Sequence, residues 1–240
     1  MPKVAVVTGA GSGVGRATAL LLAREGWVVA LVGRREAMLQ ETIQLSGADG
    51  AAMLPLICDI GDPAEVVAMA ERAAQLGDVE ALVNSAGTNT AARSLAELST
   101  AEYHRIVDTN MHGAYYCAQA FLPAMRKRGA GTIINIASIA VLRASTVAGV
   151  AYAMSKFGMA GLTQTINAEE RQHGVRACAI YPGEINTPLL DQRPSPPPPK
   201  VRTHMLQPED VARCAMLAIM LPPRAVVEEL VVMPGEVGTL

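Results

Sequence analysis

Short runs rich in Val, Ala and Ile recur along the chain, each followed by a longer stretch with helical spacing. The runs are Val4–Thr8, Val28–Val32, Met53–Ile57, Ala81–Asn84, Thr132–Ala137, Arg176–Tyr181 and Glu229–Met233. Most are apolar throughout rather than alternating, as strands buried on both faces are. Helical patterns fill Val14–Glu25, Glu36–Ser46, Pro63–Gln75, Thr100–Arg128, Ala151–His173 and Pro208–Met220. Asp62-Pro63 and Gln207-Pro208 are helix start signals, with acids in the first turn. Such alternation calls for parallel strands joined by right-handed crossovers. It predicts an α/β fold: a doubly wound, Rossmann-like parallel sheet of about seven strands, flanked by helices on both faces. A single domain over residues 1–240 is expected, long enough to bury its core without disulfides.

Composition narrows the partners. Hydrophobic residues make up 50% but aromatics only 3%, which suits a buried sheet under closely packed helices. The net charge of -2 and the absence of a basic patch argue against a nucleic-acid partner. Arg126-Lys127-Arg128 reads as a helix C-terminus. Cys58, Cys117, Cys178 and Cys214, like His104, His112, His173 and His204, are too scattered for a metal site. No metal is expected, and the thiols read as free in a reducing compartment. No run is long enough to span a membrane, and no signal segment precedes the strand at Lys3, so a cytoplasmic protein is expected. Pro194-Ser195-Pro196-Pro197-Pro198-Pro199 should adopt extended polyproline II. It lies between the sixth strand and the last helix, which argues against a domain linker.

The first strand runs into Thr8-Gly9-Ala10-Gly11-Ser12-Gly13-Val14-Gly15. A Gly-rich turn between a strand and a helix lets the backbone approach a pyrophosphate, and the helix offers free N–H groups. A tight turn with no ligand is the alternative. The second strand ends in Val32-Gly33-Arg34-Arg35, where NAD-preferring folds carry an acid for the ribose 2′-hydroxyl. A guanidinium suits a 2′-phosphate, so NADP(H) is favoured over NAD(H), with Arg34 as first choice and Arg35 as second. The alternative is that both are solvated charges at a helix start.

Tyr152-Ala153-Met154-Ser155-Lys156 puts a phenol and an ammonium on one helix face. A free phenol, with a pKa of ~10, is a poor base at neutral pH. A nearby cation favours the phenolate, so Tyr152 becomes a candidate proton donor and acceptor for an alcohol/ketone pair.

Taken together, these motifs resemble the short-chain dehydrogenase/reductase family in its compact form, over nearly the whole chain and in the family's order. Gly9, Gly13 and Gly15 match its glycine-rich turn, and the resemblance places the cofactor on them with Ser12 and Val14. It assigns Asp59, with Ile60, to the adenine, and Asn84, Ala86 and Gly87 to the motif ending the fourth strand. Pro182, Gly183, Ile185 and Thr187 would border the nicotinamide. The implied catalytic set is Asn110, Ser138, Tyr152 and Lys156. Asn110 holds a relay water, Ser138 binds the substrate oxygen and Tyr152 is the acid/base. Lys156 lowers the Tyr152 pKa and holds the nicotinamide ribose. The implied activity is hydride transfer between the cofactor and a ketone or secondary alcohol. A small-molecule substrate and a homodimer or homotetramer, often formed through the two long helices, go with it.

A non-catalytic dinucleotide-binding or sensing protein is the competing reading, and the complete quartet argues against it. A methyltransferase would have no use for the Tyr152/Lys156 pair. Departures from the family pattern are modest. Ser138 to Tyr152 is one residue longer than usual, and Val232-Met233-Pro234-Gly235 replaces a common Asp-Gly-Gly ending. Residues 188–206 occupy the place of the substrate lid, where the proline run should stiffen the chain and leave the pocket more open. A solvated spacer is the alternative. Val141, Leu142, Val147, Leu189 and Leu190 are expected in an apolar pocket wall. Arg143 reads as a solvated surface residue or as an anchor for an acidic substrate group.

Overall fold

The computed structural model describes residues 3–235, so the outermost residues of the expected 1–240 span lie outside it. Its strands are β1 (Val4–Thr8), β2 (Val28–Gly33), β3 (Met53–Ile57), β4 (Val79–Asn84), β5 (Gly131–Ile136), β6 (Val175–Pro182) and β7 (Glu229–Val232). Its helices are α1 (Gly13–Arg24), α2 (Glu36–Leu45), α3 (Pro63–Ala74), α4 (Thr100–Val107), α5 (Gly113–Arg128), α6 (Val150–Glu170), α7 (Pro199–Arg202) and α8 (Pro208–Met220). The strands form one parallel sheet in the order β3-β2-β1-β4-β5-β6-β7. The chain runs outward from β1 to β3, then crosses back to β4 on the other side of β1. This reversal leaves a crevice beyond the C-terminal ends of β1 and β4, where open α/β sheets bind ligands.

Successive β1 residues serve opposite faces. Ala5 and Val7 join the core that α1 and α8 cover, whereas Val4 and Val6 join the one that α3 and α5 cover. All four are fully buried, which explains why the strand reads as a continuous apolar run. Thr8 closes the strand and ties it to its neighbour. Its hydroxyl donates to Val83 O and accepts from the Ser85 and Ala86 N–H groups.

Two helical expectations change. The stretch Thr100–Arg128 is not one helix, because a π-helical turn over Asp108–His112 separates α4 from α5. Asn110 lies in that turn, and its side chain bonds Thr88 rather than continuing a regular surface. The proline run does not stay extended to its end. Pro198 has φ -66 and ψ 158, but Pro199 opens the short helix α7, since proline's fixed φ suits a first helical position. A 3₁₀ turn over Pro188–Gln192 precedes the run.

Candidate active site

The crevice is a cleft of about 600 Å³ along the C-terminal edge of the sheet. One wall is the turn from β1 to α1. Gly9 has φ +67, and a Cβ there would meet Ala86 Cα at 2.8 Å, so the turn closes against the end of β4 only because the side chain is absent. A Cβ on Gly15 would meet Gly9 O at 2.4 Å, so this glycine packs helix on turn and does not line the cleft. Ser12 stands at the N-cap of α1 without a side-chain cap bond. The first-turn N–H groups, at the positive end of the helix, therefore remain open to an anion.

At one end of the cleft lie Arg34, Arg35, Met38, Leu39, Asp59 and Ile60. Arg34 Nη1 is 3.5 Å from Asp59 Oδ2, and both side chains are well exposed. Arg16 is already committed: it bonds Glu41, Gly11 O and Thr42.

At the other end, Ser138 leaves β5 and Tyr152 rises from the first turn of α6, two loops that meet over Lys156. Both side chains line the cleft, and the Ser138 hydroxyl accepts from Ala140 N at 3.2 Å. Lys156 is 3% exposed and donates to Ile136 O at 2.8 Å. Its Nζ lies 5.6 Å from the Tyr152 ring centre. Burial pulls the Lys156 ammonium down to about 7. Burial pushes the Tyr152 phenol up, while the Ser138 hydroxyl and the charges of Arg93 and Arg193 pull it back. Asn110 is fully buried: Oδ1 accepts from Thr88 N at 2.7 Å, and Nδ2 donates to Thr88 O and to Ser155 Oγ. A Cβ on Gly87 would sit 3.7 Å from both Asn110 Oδ1 and Lys156 Nζ, so these groups flank one small gap.

The amino-acid sequence matches the model of the short chain dehydrogenase family over residues 3–197. An uncharacterised oxidoreductase of Staphylococcus aureus (strain USA300) is 34% identical over 236 residues, 97% of each chain. The alcohol dehydrogenase of the archaeon Thermococcus sibiricus, solved with 5-hydroxy-NADP, superposes with a TM-score of 0.86 at 27% identity, covering 98% of this chain and 97% of that one. The 3-ketoacyl-(acyl-carrier-protein) reductase of Brucella melitensis, solved with NADH, gives 0.87 at 29% identity, covering 97% of each. The chain belongs to the short-chain dehydrogenase/reductase family. It is an NAD(P)-dependent oxidoreductase with the family's Rossmann-like fold.

In this short-chain dehydrogenase/reductase the cleft gathers most of the residues singled out from the sequence. Gly9, Ser12, Gly13, Val14, Arg34, Asp59, Ile60, Ala86, Gly87, Ser138, Tyr152, Lys156, Pro182, Gly183, Ile185 and Thr187 all line it. Three lie behind its surface. Gly15 supports the turn, Asn84 is 2% exposed and bonds Asn135 across the sheet, and Asn110 sits beneath Gly87. The open α1 terminus, the close glycine contacts and the buried ammonium fit a dinucleotide laid from Arg34 to Tyr152. No group of His, Cys, Asp and Glu among the described residues is arranged to hold a metal, and no described helix is long and apolar enough to cross a membrane.

The expected pocket wall needs correction. Leu189 lines the cleft, but Leu142 and Val147 point outward at 54% and 50% exposure, and Leu190 is packed inside. Among the described residues, none from Ile139 to Ala151 lines the cleft. Arg143 is exposed and does not line it. Sequence reading missed Arg93 and Gln192. Both lie in segments without periodicity, and neither belongs to a motif.

Proposed function

We propose that the chain interconverts a ketone and a secondary alcohol with NADP(H), using Tyr152 as the acid/base. The observation that carries this reading is the convergence of Ser138, Tyr152 and Lys156 at one end of a cleft whose other end presents Arg34. When bound, the nicotinamide cofactor would supply the hydride that the carbonyl carbon accepts. The Ser138 hydroxyl donates to the substrate oxygen as negative charge builds there. Tyr152 Oη gives its proton to that oxygen during reduction and takes it back during oxidation. Lys156 would hold the ribose hydroxyls of the bound cofactor, and with Asn110 it flanks the gap beside Gly87, where a water would relay protons to Tyr152.

Cofactor preference follows from charge. No acid stands at Gly33, so the carboxylate that would bind a ribose 2′-hydroxyl at the end of β2 is missing and Arg34 follows in its place. The Arg34–Asp59 pair is exposed and contributes at most about 1 kcal/mol, so a phosphate can displace Asp59 from the guanidinium. Nicotinamide fluorescence titration tests this. NADPH should bind at least tenfold tighter than NADH, and Arg34→Ala should abolish the difference. Tighter NADH binding, or an unchanged preference in the variant, would overturn it.

Catalysis is assigned to one domain of cytoplasmic type. Self-association is assigned to the outer faces of α5 and α6, where Tyr115, Met154 and Phe157 are about half exposed.

A further inference from the structure

We propose that Arg93 is a positioning residue for proton transfer: its guanidinium ties together the loops around Tyr152 and holds a buried positive charge beside the first turn of α6. The proposal rests on the reading of Tyr152 as the acid/base.

Arg93 is 8% exposed, yet no carboxylate pairs with it among the described residues. Charged side chains are rarely buried this way. Three backbone carbonyls from three separate segments hold it. Nε donates to Thr90 O at 2.8 Å in its own segment, Nη1 to Val147 O in the loop before α6, and Nη2 to Gln192 O at 3.3 Å in the lid. The neighbouring Asn89 repeats the pattern, with its N–H on Gln192 Oε1 and its side chain on Ala148 O. The backbone of Arg93 also grips the catalytic helix. Its carbonyl accepts from Val150 N, the first residue of α6, two positions before Tyr152. Gly149 has φ +79, and a Cβ there would meet Arg93 Cβ at 2.7 Å, so the turn into α6 is shaped around this arginine.

Neutral donors would make the same ties without burying a charge, so the charge calls for a role of its own. The cations around Tyr152 are Lys156 of its own helix, whose Nζ lies 5.6 Å from the ring centre, and Arg93 and Arg193, whose charges work against the burial that raises the phenol. Glu184 is spent on Arg193 at 2.7 Å. Lys156 points to Ile136 O and titrates at about 7, so it is only partly charged at neutral pH. Arg93 stays protonated throughout. Burial and the charge of Arg193 pull the Arg93 pKa down and Tyr152 offsets them in part, while the Arg93 charge works against the burial that raises the phenol.

The test uses full-length protein labelled at the tyrosine ζ carbon, titrated by NMR with and without saturating NADP⁺. The chain has five tyrosines, and Tyr152→Phe assigns the relevant resonance. Arg93→Gln should raise the Tyr152 midpoint by about one pH unit. Arg93→Lys keeps the charge and loses the ties, so its midpoint should stay near wild type while its melting temperature falls. An unmoved midpoint in folded Arg93→Gln would overturn the proposal. Should that variant not fold, the neutral Arg93→Met takes its place with the same two outcomes, a rise of about one unit upholding the proposal and an unmoved midpoint overturning it, and Arg93→Lys serves as the charge-retaining control. The titration needs no turnover. Persistent activity in Tyr152→Phe would therefore break the acid/base reading while still leaving the effect of Arg93 measured.

Discussion

Lys156 spends its buried ammonium on one carbonyl, Ile136 O, with Met159 Sδ 3.3 Å away. That is thin compensation for taking a charge out of water. Its pKa falls from 10.5 to about 7 in the folded protein, so between those values the unfolded chain binds more protons. Stability must therefore rise with pH across that window, and the burial penalty is fully present below about 7. Over the whole window the gain is at most about 5 kcal/mol. Lys156→Met should remove this dependence. Urea titrations of the cofactor-free protein at pH 6 and pH 9 should show the wild type gaining several tenths of a molar in midpoint relative to the variant. Parallel pH dependences in the two proteins would contradict the assigned cause. The sequence made Lys156 visible through its spacing from Tyr152, but not its backbone partner. That partner comes from β5, 20 residues away, through tertiary packing. Arg93 was invisible for the same reason: its ties reach over 54 and 99 residues.

Secondary-structure elements were legible wherever their signal was local. The strand runs and the Asp62-Pro63 start of α3 are set by apolar patterning and capping: Asp62 Oδ1 accepts from Ala64 N at 2.8 Å. The break between α4 and α5 was not legible, because the π-helical turn at Asp108–His112 is tied to the loop after β4 through Asn110 as well as by its own His112–Asp108 contact. Asn110 locks it with bonds of 2.7 Å and 3.0 Å to the Thr88 backbone and 3.1 Å to Ser155. Asn110→Leu fills similar space but strands the Thr88 N–H and carbonyl in a fully buried place. It should cost about 2–4 kcal/mol in denaturant unfolding. A loss under about 1 kcal/mol would mean that the turn stands without its asparagine.

At the scale of the whole molecule, the sheet order puts the glycine turn, the arginines after β2 and the start of α6 along one edge. Residues more than 100 positions apart in sequence thus come to share a cleft. Parallel strands all end at that edge, so every motif that follows a strand faces the same crevice. This is why the residues singled out from the motifs gather in one cleft, whereas the outward-facing Leu142 and Val147 of the Ser138–Tyr152 loop had to be seen. The same architecture leaves Tyr115, Met154 and Phe157 exposed on the long helices. Light scattering should report a dimer or tetramer; a single species of 25.1 kDa would remove that assignment. The central claim, that Tyr152 moves the proton in carbonyl reduction, is tested most directly by comparing wild type and Tyr152→Phe. The measurement is NADPH oxidation at 340 nm over a panel of ketones, with cofactor affinity measured in parallel. The account predicts wild-type turnover, a loss of at least about 10²-fold in the variant and unchanged NADPH binding. A variant that still reduces the same ketone at a rate close to wild type would contradict it.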